Sequence, residues 1–150
     1  REFIDMRGLL QELRDELTEA YPESTIALDL ATDQKVYGDY RQLYSAVSNL
    51  AINAIKYSHD RSPVTITWSL QGDKCLLQVR DRGIGIDSMH IPRLTERFYR
   101  VDDSRSSATG GTGLGLAIVK HAVAAHGAQL KIESKLGEGS TFTLVFPARG

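Results

Sequence analysis

The stretch from Thr109 to Val119, TGGTGLGLAIV, constrains this chain more than any other. Gly110, Gly111, Gly113 and Gly115 lie within six residues and run directly into Leu114, Leu116, Ala117, Ile118 and Val119. Glycine admits positive φ and lets the backbone approach a ligand closely. The apolar spacing predicts a helix beginning near Gly113. A helix N-terminus emerging from such a loop points free N–H groups at an anion, most often phosphate. A plain glycine-rich surface loop ahead of a buried helix would give the same letters. Two commoner phosphate loops are excluded. Lys120 comes only after the helix is under way, so there is no Gly-Lys-Ser/Thr, and Leu116 stands where GxGxxG needs its third glycine.

The chain has 150 residues, enough for one domain with a single core. Its 18 Lys and Arg against 19 Asp and Glu leave no electrostatic footprint for nucleic acid. The one cysteine, Cys75, sits in the apolar run Cys75-Leu76-Leu77-Gln78-Val79 and reads as core; alone it makes no internal disulfide. There is no signal peptide and no apolar run of about 18 residues, so the domain is expected to be soluble. The chain opens on Arg1 in what reads as mid-helix, and is expected to be a fragment of something longer.

Residues 4–20 space Ile4, Leu9, Leu10, Leu13 and Leu17 as a helix would, with Pro22 ending it. Residues 25–30 alternate as a strand, and 36–38 allow a short second one. Asp39 is placed to cap a long helix to about Tyr57, with the stripe Leu43, Val47, Leu50, Ala51 and Ala54. Strands over 64–70 and 74–81 flank a Gly72-Asp73 hairpin turn. A short helix is expected around 88–98 and a polar, mobile lid over 101–111. Gly127 suits the end of the next helix, and strands over 130–134 and 140–146 close the chain. The expected fold is a two-layer α/β sandwich: a mixed, mostly antiparallel sheet of about five strands with three main helices on one face.

Asn49, Asn53, Lys56 and Tyr57 recur at i, i+4, i+7 and i+8 on the long helix. The first three share about 60° of arc beside the apolar stripe. An Asn carbonyl is a hard oxygen ligand for Mg²⁺, which keeps waters and phosphate oxygens as its other partners, and Lys56 supplies charge to a phosphate. A solvated helix flank is the alternative. Asp81 ends a strand just before Gly83 and Gly85; its carboxylate accepts an exocyclic N–H of adenine, or merely opens a turn. Arg97, Arg100 and Arg105 lead into the lid, placed either to neutralise a transferring phosphoryl group or as ordinary surface charge. Residues 137–142, GEGSTF, read either as no more than a hairpin or as one whose Thr141 hydroxyl contacts the base. His59, His90, His121 and His126 show no ligand spacing and are expected at the surface or on helix flanks.

In this order, these segments resemble the catalytic and ATP-binding domain of sensor histidine kinases, a branch of the GHKL ATPases with the Bergerat fold. NLAINAIKYS (49–58) looks like the N box, DRGIGI (81–86) the G1 box and RFYRVD (97–102) the F box. GGTGLGLAIVKH (110–121) looks like the G2 box and GEGSTF (137–142) the G3 box. Residues 90–106 further resemble members that serve phosphate regulation. The resemblance implies Mg-ATP as the bound nucleotide, with Asn53 on the metal and Asn49 supporting it. Lys56 and Tyr57 would face phosphates and ribose. Asp81, Gly83, Gly85 and Ile86 would line the adenine, with Thr141 assisting at the base. Arg100 and Arg105 would approach the γ-phosphate, and Gly111, Thr112, Gly113, Leu114 and Gly115 would wrap the triphosphate. Relatives that hydrolyse ATP, such as gyrase and MutL, carry Glu where Asn49 stands, and a neutral amide cannot activate water as a base. Asn49, Lys56, Arg100 and Arg105 would thus serve transfer to another acceptor. That acceptor, a histidine in a two-helix dimerisation hairpin, is not among these residues. The chain is therefore expected to be largely monomeric, and to belong to the cytoplasmic part of an inner-membrane sensor that signals to a response regulator.

Overall fold

The computed structural model describes residues 1–58, 63–83, 115–135 and 137–147. In chain order the elements are β1 (Glu2–Ile4), α1 (Met6–Ala20), β2 (Ile26–Leu30), β3 (Val36–Gly38), α2 (Tyr40–Tyr57), β4 (Val64–Gln71), β5 (Lys74–Asp81), α3 (Gly115–Ala125), β6 (Gln129–Lys135) and β7 (Gly139–Pro147). Five strands form one sheet in the order β2-β4-β5-β7-β6. Among the described strands only β2 and β4 pair in parallel, and the crossover that a parallel pair requires is supplied by β3 and α2. The helices lie side by side on one face, α1 over β2, α2 over β4 and β5, α3 over β6, with α2 in the middle. The sandwich expected from the sequence is the one observed.

Burial follows the pleat. Val64, Ile66 and Trp68 of β4, Cys75, Leu77 and Val79 of β5, and Phe142, Leu144 and Phe146 of β7 are buried towards the helices. Residues between them, such as Thr65, Gln78 and Thr141, take the opposite face, as period-two geometry demands. Leu9, Leu10, Leu13 and Leu17 of α1 and Leu43, Val47, Leu50 and Ala54 of α2 close the core from above. Asp39 Oδ1 accepts the Gln42 N–H at 3.1 Å, the expected cap of α2. Gly72 turns the β4–β5 hairpin at φ 62°. Gly127, at φ 63°, ends α3 in a Schellman motif: its N–H reaches the Ala124 carbonyl while the Ala128 N–H reaches that of Val123.

Two expectations are corrected. The chain does not open in mid-helix: residues 2–4 form a strand antiparallel to β3, with Phe3 opposite Tyr37 and Ile4 opposite Val36. Ile4 fits the helical spacing of α1, and only its distant partner decides otherwise. His126 is not a surface residue either. It is buried, its Nε2 accepts the Asp39 N–H at 3.0 Å, and its Nδ1 lies 2.7 Å from the Ala122 carbonyl oxygen. His121 is exposed, as expected. The expected helix over 88–98 and the lid lie outside the described residues.

Candidate functional site

The two helices that carry the predicted site run antiparallel. Asp39, which caps the start of α2, meets His126, one residue past the end of α3, and the helices pack against each other. At about 1.5 Å of rise per residue, Asn49 and Gly115 each stand about 15–16 Å from that contact, with Asn53 about 21 Å and Lys56 about 25 Å along. The amide flank of α2 thus begins level with the start of α3 and extends past it, towards the end from which the glycine segment enters. Asn49, Asn53, Lys56 and Tyr57 are all half-buried. Asn49 Nδ2 donates to the Ser45 carbonyl at 2.7 Å, which turns its Oδ1 away from the helix backbone.

A second junction brings the end of β5 to the end of α2. Gly83 bridges to Ser58, and a Cβ on Gly83 would fall 1.8 Å from the Tyr57 carbonyl oxygen. Glycine is needed here for the helix contact, a reason independent of the room it leaves for a base. Asp81 is only 5% exposed, and its Oδ1 accepts the Gly83 N–H at 2.9 Å. The turn-forming and the ligand-accepting readings of Asp81 are therefore compatible: one oxygen shapes the loop, and the carboxylate as a whole is a buried acceptor beside α2.

The start of β7 closes the third side. Gly139, at φ 102°, brings its backbone so near Asp81 that a Cβ would lie 2.2 Å from the Asp81 carbonyl oxygen. Register then separates two neighbouring hydroxyls. Ser140 pairs with Asp81 and Thr141 with Arg80, and directly opposed residues share a face. Ser140, 7% exposed, is on the helix side with Asp81; Thr141 is on the outer face, between Arg80 and Glu133. Thr141, expected to assist at the base, thus lies on the opposite face of the sheet from Asp81, because a shift of one residue along a strand reverses the face. Ser140, overlooked in the sequence, stands there instead, its Oγ 2.6 Å from Ser134 Oγ. The alternation with Phe142 and Phe146 was the signal that would have found it.

The other predicted residues, Gly85, Ile86, Arg100, Arg105, Gly111, Thr112, Gly113 and Leu114, lie outside the described residues; Gly115 opens α3. Among the described residues no group of three or more His, Cys, Asp or Glu could hold a metal. The donor set at hand, neutral Asn carbonyls on α2, fits Mg²⁺ held chiefly through a nucleotide's phosphate oxygens. An open groove between α3 and β6, bordered by Lys120, Val123, Leu130, Lys131 and Ile132, shares none of the predicted site residues. No described helix is long and apolar enough to cross a membrane.

Known proteins agree with this arrangement. The family model for histidine kinase-, DNA gyrase B- and HSP90-like ATPases matches residues 38–150. The phosphate regulon sensor protein PhoR of Pseudomonas aeruginosa is 54% identical over 121 residues, covering 81% of this chain and 27% of the relative. The sensor-like histidine kinase SenX3 of Mycolicibacterium smegmatis is 42% identical over 146 residues, covering 96% of this chain and 38% of the relative. The chain thus spans well under half the length of these relatives. Among solved structures, the mycobacterial sensor histidine kinase MprB superposes with a TM-score of 0.85 at 27% identity, covering 99% of this chain and 97% of that one. Full-length ShkA in complex with AMPPNP gives 0.82 at 29% identity, covering 99% and 31%. With residues 38–150 matched by the family model and the whole fold matched by solved structures, the chain belongs to the histidine kinase-, DNA gyrase B- and HSP90-like ATPase family, and within it resembles the catalytic domains of sensor histidine kinases.

Proposed function

We propose that this chain binds Mg-ATP and presents the γ-phosphate to a histidine on a separate helical dimerisation domain of a two-component sensor that serves phosphate regulation. One observation carries the reading: a buried carboxylate, Asp81, held by the Gly83 N–H, stands at the end of a helix whose flank offers Asn49 and Asn53 but no carboxylate. Asp81 takes the adenine amine, with Gly83, Gly85 and Ile86 against the ring and Ser140 as the nearby hydroxyl. Asn53 offers Oδ1 to Mg²⁺, and Asn49 supports it. Lys56 and Tyr57 face phosphate and ribose. The backbone of 111–115 wraps the triphosphate at the start of α3, where free N–H groups attract anions. Arg100 and Arg105 stabilise charge on the transferring group. Bound Mg²⁺ neutralises phosphate charge; the protein's own contribution is to position and to exclude water. Asn49 cannot deprotonate a water, so the γ-phosphoryl group is kept for an imidazole nitrogen, whose N–P bond forms as the bond to the ADP oxygen breaks. The complex of ShkA with AMPPNP and the PhoR relatives support the nucleotide and the phosphate-regulation role respectively.

Calorimetry with Mg-ADP tests the binding step, and mixing with a separately supplied histidine-bearing hairpin and radiolabelled ATP tests transfer. The expected result is saturable binding, label on the hairpin and little phosphate release by the chain alone. Asn53→Ala should remove mainly the Mg²⁺-dependent part of the affinity, about tenfold or more. Folded protein that binds no adenine nucleotide would sink the reading. Rapid phosphate release without the hairpin would favour a self-sufficient clamp ATPase instead.

A further inference from the structure

We infer that His126 is a positioning residue for the nucleotide site, acting as a fixed-tautomer latch between the two helices that hold it. The inference rests on the nucleotide reading above. Asp39 N–H is a donor and lies 3.0 Å from Nε2, so Nε2 carries no proton. The Ala122 carbonyl only accepts and lies 2.7 Å from Nδ1, so Nδ1 carries one. Only the neutral Nδ1–H form satisfies both partners.

Position gives this ring its leverage. His126 lies between the Schellman turn that ends α3 and the residue that caps α2, and its own N–H also reaches the Ala122 and Val123 carbonyls. From the β3 side, Gly38 presses on the ring so closely that a Cβ there would lie 2.2 Å from Cδ2. Arg1 adds a guanidinium bond to the Ala125 carbonyl at 2.7 Å, fixing the same end of α3 to β1. The far end of α3 receives the glycine segment, and the far half of α2 carries Asn49 and Asn53. Leu50, Ala51, Val119 and Ala122 are buried, and burial of apolar surface is non-directional; the hydrogen bonds at one end add a directional restraint on the register of the two helices. The latch therefore fixes, from about 15–20 Å away, how the amide flank stands against the start of α3.

Variants and spectroscopy of the whole chain test this. Long-range ¹H–¹⁵N correlation of wild-type protein should show the Nδ1–H tautomer at His126. His126→Phe should weaken Mg-ADP binding about five- to tenfold in calorimetry while the protein remains folded by circular dichroism. His126→Gln, whose carbonyl can accept the Asp39 N–H, should recover most of that affinity; His126→Asn, too short to reach, should not. Gly38→Ala, which displaces the ring without altering it, should reproduce the loss and shift the Asp39 amide resonance. An Nε2–H tautomer, or unchanged affinity in both His126→Phe and Gly38→Ala, would overturn the latch. Wild-type protein that showed the expected tautomer yet bound no Mg-ADP would instead overturn the nucleotide reading.

Discussion

Asp81 shows how one side chain serves two needs. Its Oδ1 holds the Gly83 N–H, and the carboxylate is buried where α2, β5 and β7 converge. Asp81→Asn keeps an acceptor for Gly83 and turns the other oxygen into a donor. The loop should survive while adenine loses its partner. The expected change is about 10- to 100-fold weaker Mg-ADP binding, the cost of one mismatched buried polar contact, with thermal midpoint nearly unchanged; calorimetry and differential scanning calorimetry read the two quantities. A large fall in midpoint without loss of affinity would make Asp81 a turn former only. Glycines divide in a similar way. Gly83→Ala drives a methyl into the Tyr57 carbonyl, and should cost about 2–4 kcal/mol in urea denaturation. Gly72→Ala meets nothing within 4 Å and suffers only its φ of 62°, which should cost about 1 kcal/mol. The sequence marks Gly72 as a turn residue but not the helix carbonyl that faces Gly83, because what surrounds a glycine is set by remote chain.

At the scale of elements, α1 and α2 are joined by two parallel contacts one turn apart. Tyr40 donates to Glu12 at 2.5 Å, Tyr44 donates to Glu16, and the two rings stack with centroids 6.0 Å apart. Burial, then the Glu12 contact, pushes the Tyr40 phenol up to about 12 from 10.0; burial and Glu16 raise Tyr44 as well. The fold thus prefers the neutral phenol. Its contribution is complete below about pH 10, where the unfolded phenol is also protonated, and is lost as pH climbs through about 12. Thermal midpoints of wild type and of Tyr40→Phe should therefore converge between about pH 10 and 12. No gap at any pH would mean that the Tyr40 phenol contributes by packing alone, which phenylalanine retains. These helices were legible from their apolar spacing, and α2 also from its Asp39 cap. The short strand β1 was not, because three residues hold no periodicity and its partner β3 is distant in sequence.

For the molecule as a whole, Trp68 reports on the core. It is the chain's one tryptophan, fully buried, with its indole N–H on the Gln34 carbonyl at 3.1 Å and its ring edge-on to Phe146 at 6.0 Å. Its fluorescence should shift to longer wavelength in a single urea transition shared with circular dichroism. Phe146→Ala should lower the unfolding free energy by about 3–5 kcal/mol through the cavity left beside it; a change below about 1 kcal/mol would mean that the sheet end repacks. Periodicity, caps and turn glycines are local properties, so the sequence by itself determined the two-layer class and the type of each described element except β1. Facing, register and proximity are relations between distant segments. Tertiary structure alone therefore decided that Ser140 rather than Thr141 stands beside Asp81, that Gly83 yields to a helix carbonyl, and that His126 is buried between two helix ends. The physical reason is that a strand's own alternation shows which of its residues share a face, whereas what stands beside them is set by a pairing partner distant in the chain.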